Sequence, residues 1–349
     1  MTIDDFKTQE EYVSQMEHGA LLNPRIDSTF KALFTQPTPE SRAALHSFLE
    51  AATERKIKKY ELKANDSPVG FDGQRGVTYD ILCQFEDGLT ADIEMQASDQ
   101  EYDYGKRAEY QVARLETTYL QKGDDWEKAP IVYQISVLNF NYKCKSSKNN
   151  GNSKGSKNPV SRYAMRTNDG RELSNTLNII FIELPKAKGL EKTLETNTPL
   201  ENWAIFLKLA DNPKKQDLIQ KLTNKEAGLM NAQKSLSNIS ANKDYWIAQY
   251  RQEIRERDYR SGLSAAERRG LQQGIQQGIQ QGLQQGIQQG IQQGLQQGIQ
   301  QGLLQGTKNA ALANARNLLS MHLGTIEQIS QACGLSVEEV RALAEKLGE

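Results

Sequence analysis

A chain of 349 residues with 43 lysines and arginines against 44 aspartates and glutamates carries a net charge of −1, so it has no global attraction to polyanions and any nucleic-acid binding must come from local basic patches. Its cysteines (Cys83, Cys144, Cys333) and histidines (His18, His46, His322) are scattered. That argues against a disulfide framework or a cysteine- or histidine-based zinc site, and for a reducing compartment. The acidic amino terminus lacks an apolar run and no stretch is apolar enough to span a membrane, so the expectation is a soluble, cytoplasmic protein with no signal peptide.

Residues 1–20 read as a polar lead-in. Asp27 and Lys31 stand four apart, on one face of a predicted helix, as a support for a nearby site or as a routine surface ion pair. Thr38-Pro39-Glu40-Ser41 is a helix start, with threonine as cap and proline at the first helical position, and Ala44, Leu45, Phe48, Leu49 and Ala52 continue it at helical spacing to residue 53. Residues 58–62 suit a strand and 65–76 a loop. Thr78 to Phe85 and Leu89 to Gln96 are β-rich segments around Glu86-Asp87-Gly88, which predicts a hairpin with a glycine at positive φ in its turn.

With the turn centred on Asp87, Phe85 faces Leu89 and Asp80 falls opposite Glu94; Asp80, Asp92, Glu94 and Gln96 share one face by parity. Carboxylates so close repel one another, and a hard cation with oxygen ligands removes that penalty and can activate a water against a phosphodiester. The plain alternative is a solvated polar sheet face.

Further on, Tyr104, Arg107, Gln111 and Arg114 lie at helical spacing; Arg107 and Arg114 either track a phosphate backbone or pack their stems on the sheet. Residues 131–140 and 178–185 read as strands, and 203–255 as helices. Between the two strands, a segment with Lys143, Lys145, Lys148, Lys154 and Lys157 reads as a loop, either solvated or touching phosphates.

Taken together, Asp27-Ser28-Thr29-Phe30-Lys31-Ala32-Leu33-Phe34, Asp80, Asp92-Ile93-Glu94-Met95-Gln96, Arg107-Ala108-Glu109-Tyr110, Leu138-Asn139-Phe140 and Phe181-Ile182-Glu183-Leu184-Pro185, in that order, resemble the PD-(D/E)XK nuclease superfamily. More narrowly they resemble the Rpn family of recombination-promoting, transposase-like nucleases. The resemblance implies a restriction-endonuclease-like α/β fold, a mixed sheet flanked by helices and followed by an α-helical C-terminal region. It implies Asp80 and Glu94 as ligands of Mg²⁺, with Mn²⁺ as a substitute, DNA as partner, and Gln96 as a catalytic residue where the superfamily pattern has lysine. Glutamine can hydrogen-bond but brings no positive charge to the transition state. Asp92, Asp27 and Lys31 are candidate supports, and Arg107, Arg114, Lys145, Lys148 and Lys154 candidate nucleic-acid contacts. The implied activity is metal-dependent DNA cleavage of low sequence specificity that promotes recombination. The rivals are a catalytically weakened nucleic-acid-binding protein and an assembly protein driven by the tail.

That tail begins with glycine at every fourth residue from Gly270 to Gly306, mostly as Gly-Ile/Leu-Gln-Gln. On a helix such a repeat advances by about 40° each time, so its apolar stripe winds around the axis. Each glycine costs about 1 kcal/mol of helix stability against alanine. Residues 261–307 therefore read as a marginal helix or a spacer, with self-association through close glycine contacts a further option. In the last module, 308–349, Gly334 marks a turn and Ser336 with Glu339 a capping box, as in a helix-turn-helix. Val337-Glu338-Glu339 at the start of the second helix would repel phosphates, which favours packing or assembly over DNA reading. The preceding domain is expected to span 21–260.

Overall fold

The computed structural model describes residues 8–66, 75–99, 102–120, 122–143 and 157–348. It divides into two compact units, Met1–Asp258 and Tyr259–Glu349.

In the first unit, six strands among the described residues form one mixed sheet: β1 (Tyr60–Leu62), β2 (Ile81–Phe85), β3 (Thr90–Gln96), β4 (Val132–Leu138), β5 (Val160–Tyr163) and β6 (Leu177–Glu183), in the order β1-β2-β3-β4-β6-β5. The central β3, β4 and β6 run parallel, while β1, β2 and β5 are antiparallel to their neighbours. The β2–β3 turn carries Gly88 at φ 83°, and its tight closure sets the register Ile81↔Ile93 and Leu82↔Asp92. Continued by one residue, that register brings Asp80 level with Glu94. The short strand β5 has no counterpart among the predicted elements; after half-buried Val160 its residues are polar or exposed and lack alternation.

One sheet face packs on a helical layer. Ile81, Ile93, Met95, Ile135, Val137, Ile180 and Ile182 meet Phe30, Leu33 and Phe34 of α2 (Asp27–Thr35), Leu45, Phe48 and Leu49 of α3 (Pro39–Thr53), Trp203 and Phe206 of α5 (Pro199–Leu209), and Leu229 and Leu236 of α7 (Ala227–Ser240) in one core. Thr38 caps α3 and proline opens it, as its sequence predicts. A further helix, α6 (Gln216–Lys225), adds Ile219 and Leu222. The segment read as a polar lead-in contains a helix, α1 (Gln9–Glu17), held by a Thr8–Glu11 capping box. Its Tyr12 and Val13 are buried, with the Tyr12 ring 5.7 Å from Trp246. Two apolar side chains one residue apart suffice to dock a short polar helix, which is why its composition concealed it.

The other sheet face is covered by α4 (Tyr104–Tyr119), the crossover between parallel β3 and β4. Val112 and Leu115 pack on Leu82 and Val132, and Tyr104 and Ala108 on Leu138 and Phe181. The polar face of β3 is therefore not solvated: Asp92 and Glu94 are both 0% exposed.

The repeat belongs to a continuous helix, α8 (Lys243–Ser320). In the second unit, Ala315 and Leu319 near its end pack with Ile329 of α9 (Ile326–Cys333) and Val340 and Ala344 of α10 (Val337–Leu347). Gly334 takes φ 67° between α9 and α10, and Ser336 and Glu339 form a capping box. No helix among the described residues is long and apolar enough to cross a membrane.

Candidate active site

In an open α/β sheet the carboxyl ends of the parallel strands form the natural crevice for a ligand. There β3 ends in Glu94-Met95-Gln96, and Asp80, just before antiparallel β2, lies beside them. The Met95 amide donates to Asp80 Oδ2 at 3.3 Å, and Gln96 Nε2 donates to Glu94 Oε2 at 3.3 Å.

Two cations reach the carboxylates from opposite layers. Lys31 of α2 sets Nζ 2.9 Å from Asp80 Oδ1 and 3.1 Å from Asp27 Oδ2. Burial alone would lower the Lys31 pKa, but hydrogen bonding and charge from Asp80 and Asp27 outweigh it, so the ammonium is held charged. Asp27 is pushed up, first by burial and then by the charge of Asp80. Arg107 of α4 places Nη2 3.2 Å from Glu94 Oε2 and donates through Nη1 to the Tyr102 hydroxyl at 3.0 Å.

Around Glu94 lies a buried polar network. Gln111 Nε2 donates to Glu94 Oε1 and the Tyr104 hydroxyl donates to Oε2 at 3.2 Å, with Ser136 Oγ 3.0 Å from that hydroxyl and 2.9 Å from Gln134 Oε1. Burial raises the Glu94 pKa against the opposing pull of Arg107. Asp92, one pleat deeper, is raised well above the ordinary range, by burial first and then by the charges of Glu94 and Asp80. Neither Asp92 oxygen finds a side-chain hydrogen-bond partner among the described residues, and Gln111 Oε1 and Gln134 Nε2 are likewise orphaned there. Asp92 is thus not the solvated carboxylate that its residue type suggests.

Of the predicted site residues, the fold brings Asp80, Glu94, Gln96, Asp27, Lys31 and Arg107 together. Asp92 lies beneath them, and Arg114 sits half-buried two turns along α4 from Arg107. Lys145, Lys148 and Lys154 fall outside the described residues. Tyr104, Gln111, Gln134 and Ser136 were not singled out for the site. The available signal was polar residues on buried stripes: Gln111 lines up with Tyr104, Ala108 and Leu115, and Gln134 and Ser136 alternate with Ile135 and Val137.

The donor chemistry suits a hard divalent cation, since Asp80 and Glu94 offer carboxylate oxygens and Mg²⁺ commonly takes only one or two carboxylates, completing its shell with water and phosphate oxygens. Among the described residues no three His, Cys, Asp or Glu side chains already form a metal cluster. The orphaned oxygens of Asp92 and Gln111 show a polar interior whose internal hydrogen bonds are incomplete.

A mixed sheet with a parallel centre, helices on both faces and acidic groups at the carboxyl edge defines a restriction-endonuclease-like α/β protein. The family profile described as PD-(D/E)XK nuclease family transposase matches residues 24–266, and the chain belongs to that family. No curated protein and no solved structure matches it.

Proposed function

We propose that this protein is a divalent-metal-dependent DNA endonuclease that hydrolyses phosphodiesters with low sequence specificity, its breaks promoting recombination. One observation carries the reading: Glu94, withdrawn from solvent, stands level with Asp80 at the carboxyl ends of parallel strands, and Lys31 and Arg107 contact the two carboxylates.

Asp80 and Glu94 are the residues that would hold Mg²⁺, or Mn²⁺ in its place. Bound there, the ion supplies Lewis-acid stabilisation of phosphate charge and lowers the pKa of a coordinated water. In the reaction a water oxygen bonds to phosphorus while the bond from phosphorus to one bridging sugar oxygen breaks, and protons leave the water and reach the departing oxygen. Negative charge grows on the phosphate, and a fixed cation beside it is worth most in a site partly shielded from water. Gln96 brings no such charge, but Lys31 stands 2.9 Å from Asp80 and does. Asp27 positions Lys31, Gln96 orients Glu94 by its hydrogen bond, and Tyr104 and Gln111 fix the Glu94 rotamer from behind. Asp92 lies beneath the pair, its pKa raised by burial and by the charges of Glu94 and Asp80.

The test is nicking of supercoiled plasmid by wild type, Asp80→Ala and Glu94→Ala protein, with Mg²⁺ and with EDTA. Metal-dependent nicking by wild type alone is the expected result. Equal nicking by all three proteins, or by wild type in EDTA, would overturn the assignment. The rival of a weakened binding protein predicts DNA binding without nicking by any of them.

A second reading, self-association through the tail, rests on its own observation. Leu271, Ile275, Ile279, Leu283, Ile287, Ile291, Leu295, Ile299 and Leu303 are each more than half exposed along an uncharged stretch of α8. A second copy has the same period and can follow the same winding stripe, the four-residue repeat favouring a right-handed supercoil. Solution mass before and after removal of residues 262–349 tests this; an unchanged mass rules the tail out as the association element.

A further inference from the structure

Beside Glu94 the first unit carries a cavity of about 710 Å³, within the range of small-molecule sites. Two of its lining residues, Arg107 and Gln111, are bonded directly to Glu94, so the cavity adjoins the carboxylate pair. Arg75, Lys106 and Arg107 bring positive charge to its wall, and Tyr102 and Tyr110 bring aromatic rings that are 46% and 38% exposed.

Both rings are tethered at their far ends. The Tyr110 hydroxyl donates to the Arg75 carbonyl at 3.1 Å, and the Tyr102 hydroxyl accepts from Arg107 at 3.0 Å. A ring held by its hydroxyl offers its face at little further entropic cost. Asp103, the acid in the lining, is engaged elsewhere, accepting from the Gly105 amide at 3.0 Å and the Tyr142 hydroxyl at 2.9 Å.

Exposed aromatic faces beside guanidinium and ammonium groups are the chemistry that binds single-stranded nucleic acid, with bases stacking on the rings while cations hold phosphates. A duplex offers its backbone to such a surface but keeps its bases stacked on one another, so the cavity takes a base only if that base is unpaired. We propose that this cavity is a cradle for an unpaired DNA nucleotide next to the scissile phosphate, stacked against Tyr110 or Tyr102, with Arg75 and Lys106 on the flanking phosphates. The preferred substrate is then DNA that is single-stranded at the cleavage site. The proposal rests on the reading of Asp80 and Glu94 as a phosphodiester-cleaving centre, but its test reads binding and not cleavage.

Full-length protein in EDTA would be titrated into a short fluorescein-labelled single strand of mixed sequence, and into the same strand annealed to its complement, with fluorescence anisotropy as readout. Wild type should bind the single strand more tightly than the duplex. Tyr110→Leu and Tyr102→Leu should each lose about 5- to 100-fold in single-strand affinity, with duplex affinity unchanged. Tyr110→Phe, which keeps the ring, should retain most of the binding. Arg75→Gln, on an exposed side chain, should weaken single-strand binding even if a leucine variant proves unstable. Duplex bound as tightly as single strand by wild type, or leucine variants of wild-type melting temperature that bind single strand like wild type, would overturn the cradle. Tyrosine-dependent binding in a protein that nicks no plasmid would leave the cradle standing and remove the nuclease assignment. Nicking with tyrosine-independent binding would do the reverse.

Discussion

At the scale of single residues, the centre poses one question, which is how chemistry proceeds where glutamine replaces the motif lysine. Lys31, which reaches Asp80 from α2, is the proposed substitute. If Lys31 carries the catalytic charge, Lys31→Met should lower the single-turnover nicking rate by about 10²-fold, on the scale of losing one preorganised donor. Lys31→Arg should lower it less, and Gln96→Lys should change the rate only a few-fold. A large gain from Gln96→Lys would mean that Lys31 does not fill the role. Asp92 leads to a separate expectation about stability. It is fully buried, faces two other carboxylates and has no side-chain hydrogen-bond partner among the described residues. Burial and the neighbouring charges of Glu94 and Asp80 raise its pKa, so keeping this acid in the core at neutral pH opposes folding. Asp92→Asn removes that penalty while keeping the shape, and should raise the melting temperature of metal-free protein at neutral pH. A lower melting temperature would mean that the carboxylate has a partner in solution.

At the scale of elements, capping and glycine content make the tail testable. Glu339 lies in the first turn of α10, where it accepts from the Ser336 amide at 3.0 Å and meets Lys308 Nζ at 2.9 Å. The Lys308 contact and the Ser336 hydrogen bonds hold its pKa down at about 2. A depressed carboxylate contributes stability above its unfolded pKa of about 4.3, and that contribution is lost as pH falls from there towards the folded value. An NMR titration of the Glu339 carboxyl should show this low midpoint, and Lys308→Met should move it up towards the ordinary range. In α8 the repeat glycines have open space where a Cβ would go. Gly278→Ala and Gly290→Ala should therefore stabilise the repeat helix by about 1 kcal/mol each, seen as a higher melting temperature. Unchanged melting, followed by circular dichroism, would show that the glycines are already compensated by contacts between copies.

At the scale of the whole molecule, each unit has a core of its own. The first holds Trp203, Phe48 and Trp246, and the second holds Ala315, Ile329 and Val340. The candidate site lies wholly in the first. Truncation after Asp258 should thus leave a folded protein that still nicks plasmid with Mg²⁺, with kcat within a few-fold of the full chain. Loss of nicking with retained folding would show that the second unit takes part in catalysis. Because the formal charge is nearly balanced, DNA affinity should depend on salt through the few cations near the site, with a log–log slope set by those contacts alone.

Much of the site could be read from local signals. Alternation on either side of Glu86-Asp87-Gly88 places the turn, and the turn dictates the register that puts Asp80 level with Glu94. Threonine before proline marks the start of α3, and Ser336 with Glu339 marks the start of α10, because capping is satisfied within a few residues. What depends on packing between distant segments was hidden. Residue types on β3 describe a polar face, but only α4 lying over it makes Asp92 and Glu94 buried acids instead of solvated ones. Asp27 and Lys31 describe an ion pair one helical turn apart, but only the docking of α2 at the sheet edge brings Lys31 to Asp80. Hydrogen bonds and periodicity along the chain act over a few residues, whereas burial and the charges that reach a carboxylate are set by which elements the core draws together. The local pattern therefore sets Asp80 level with Glu94, and the tertiary fold decided their burial and their cationic partners.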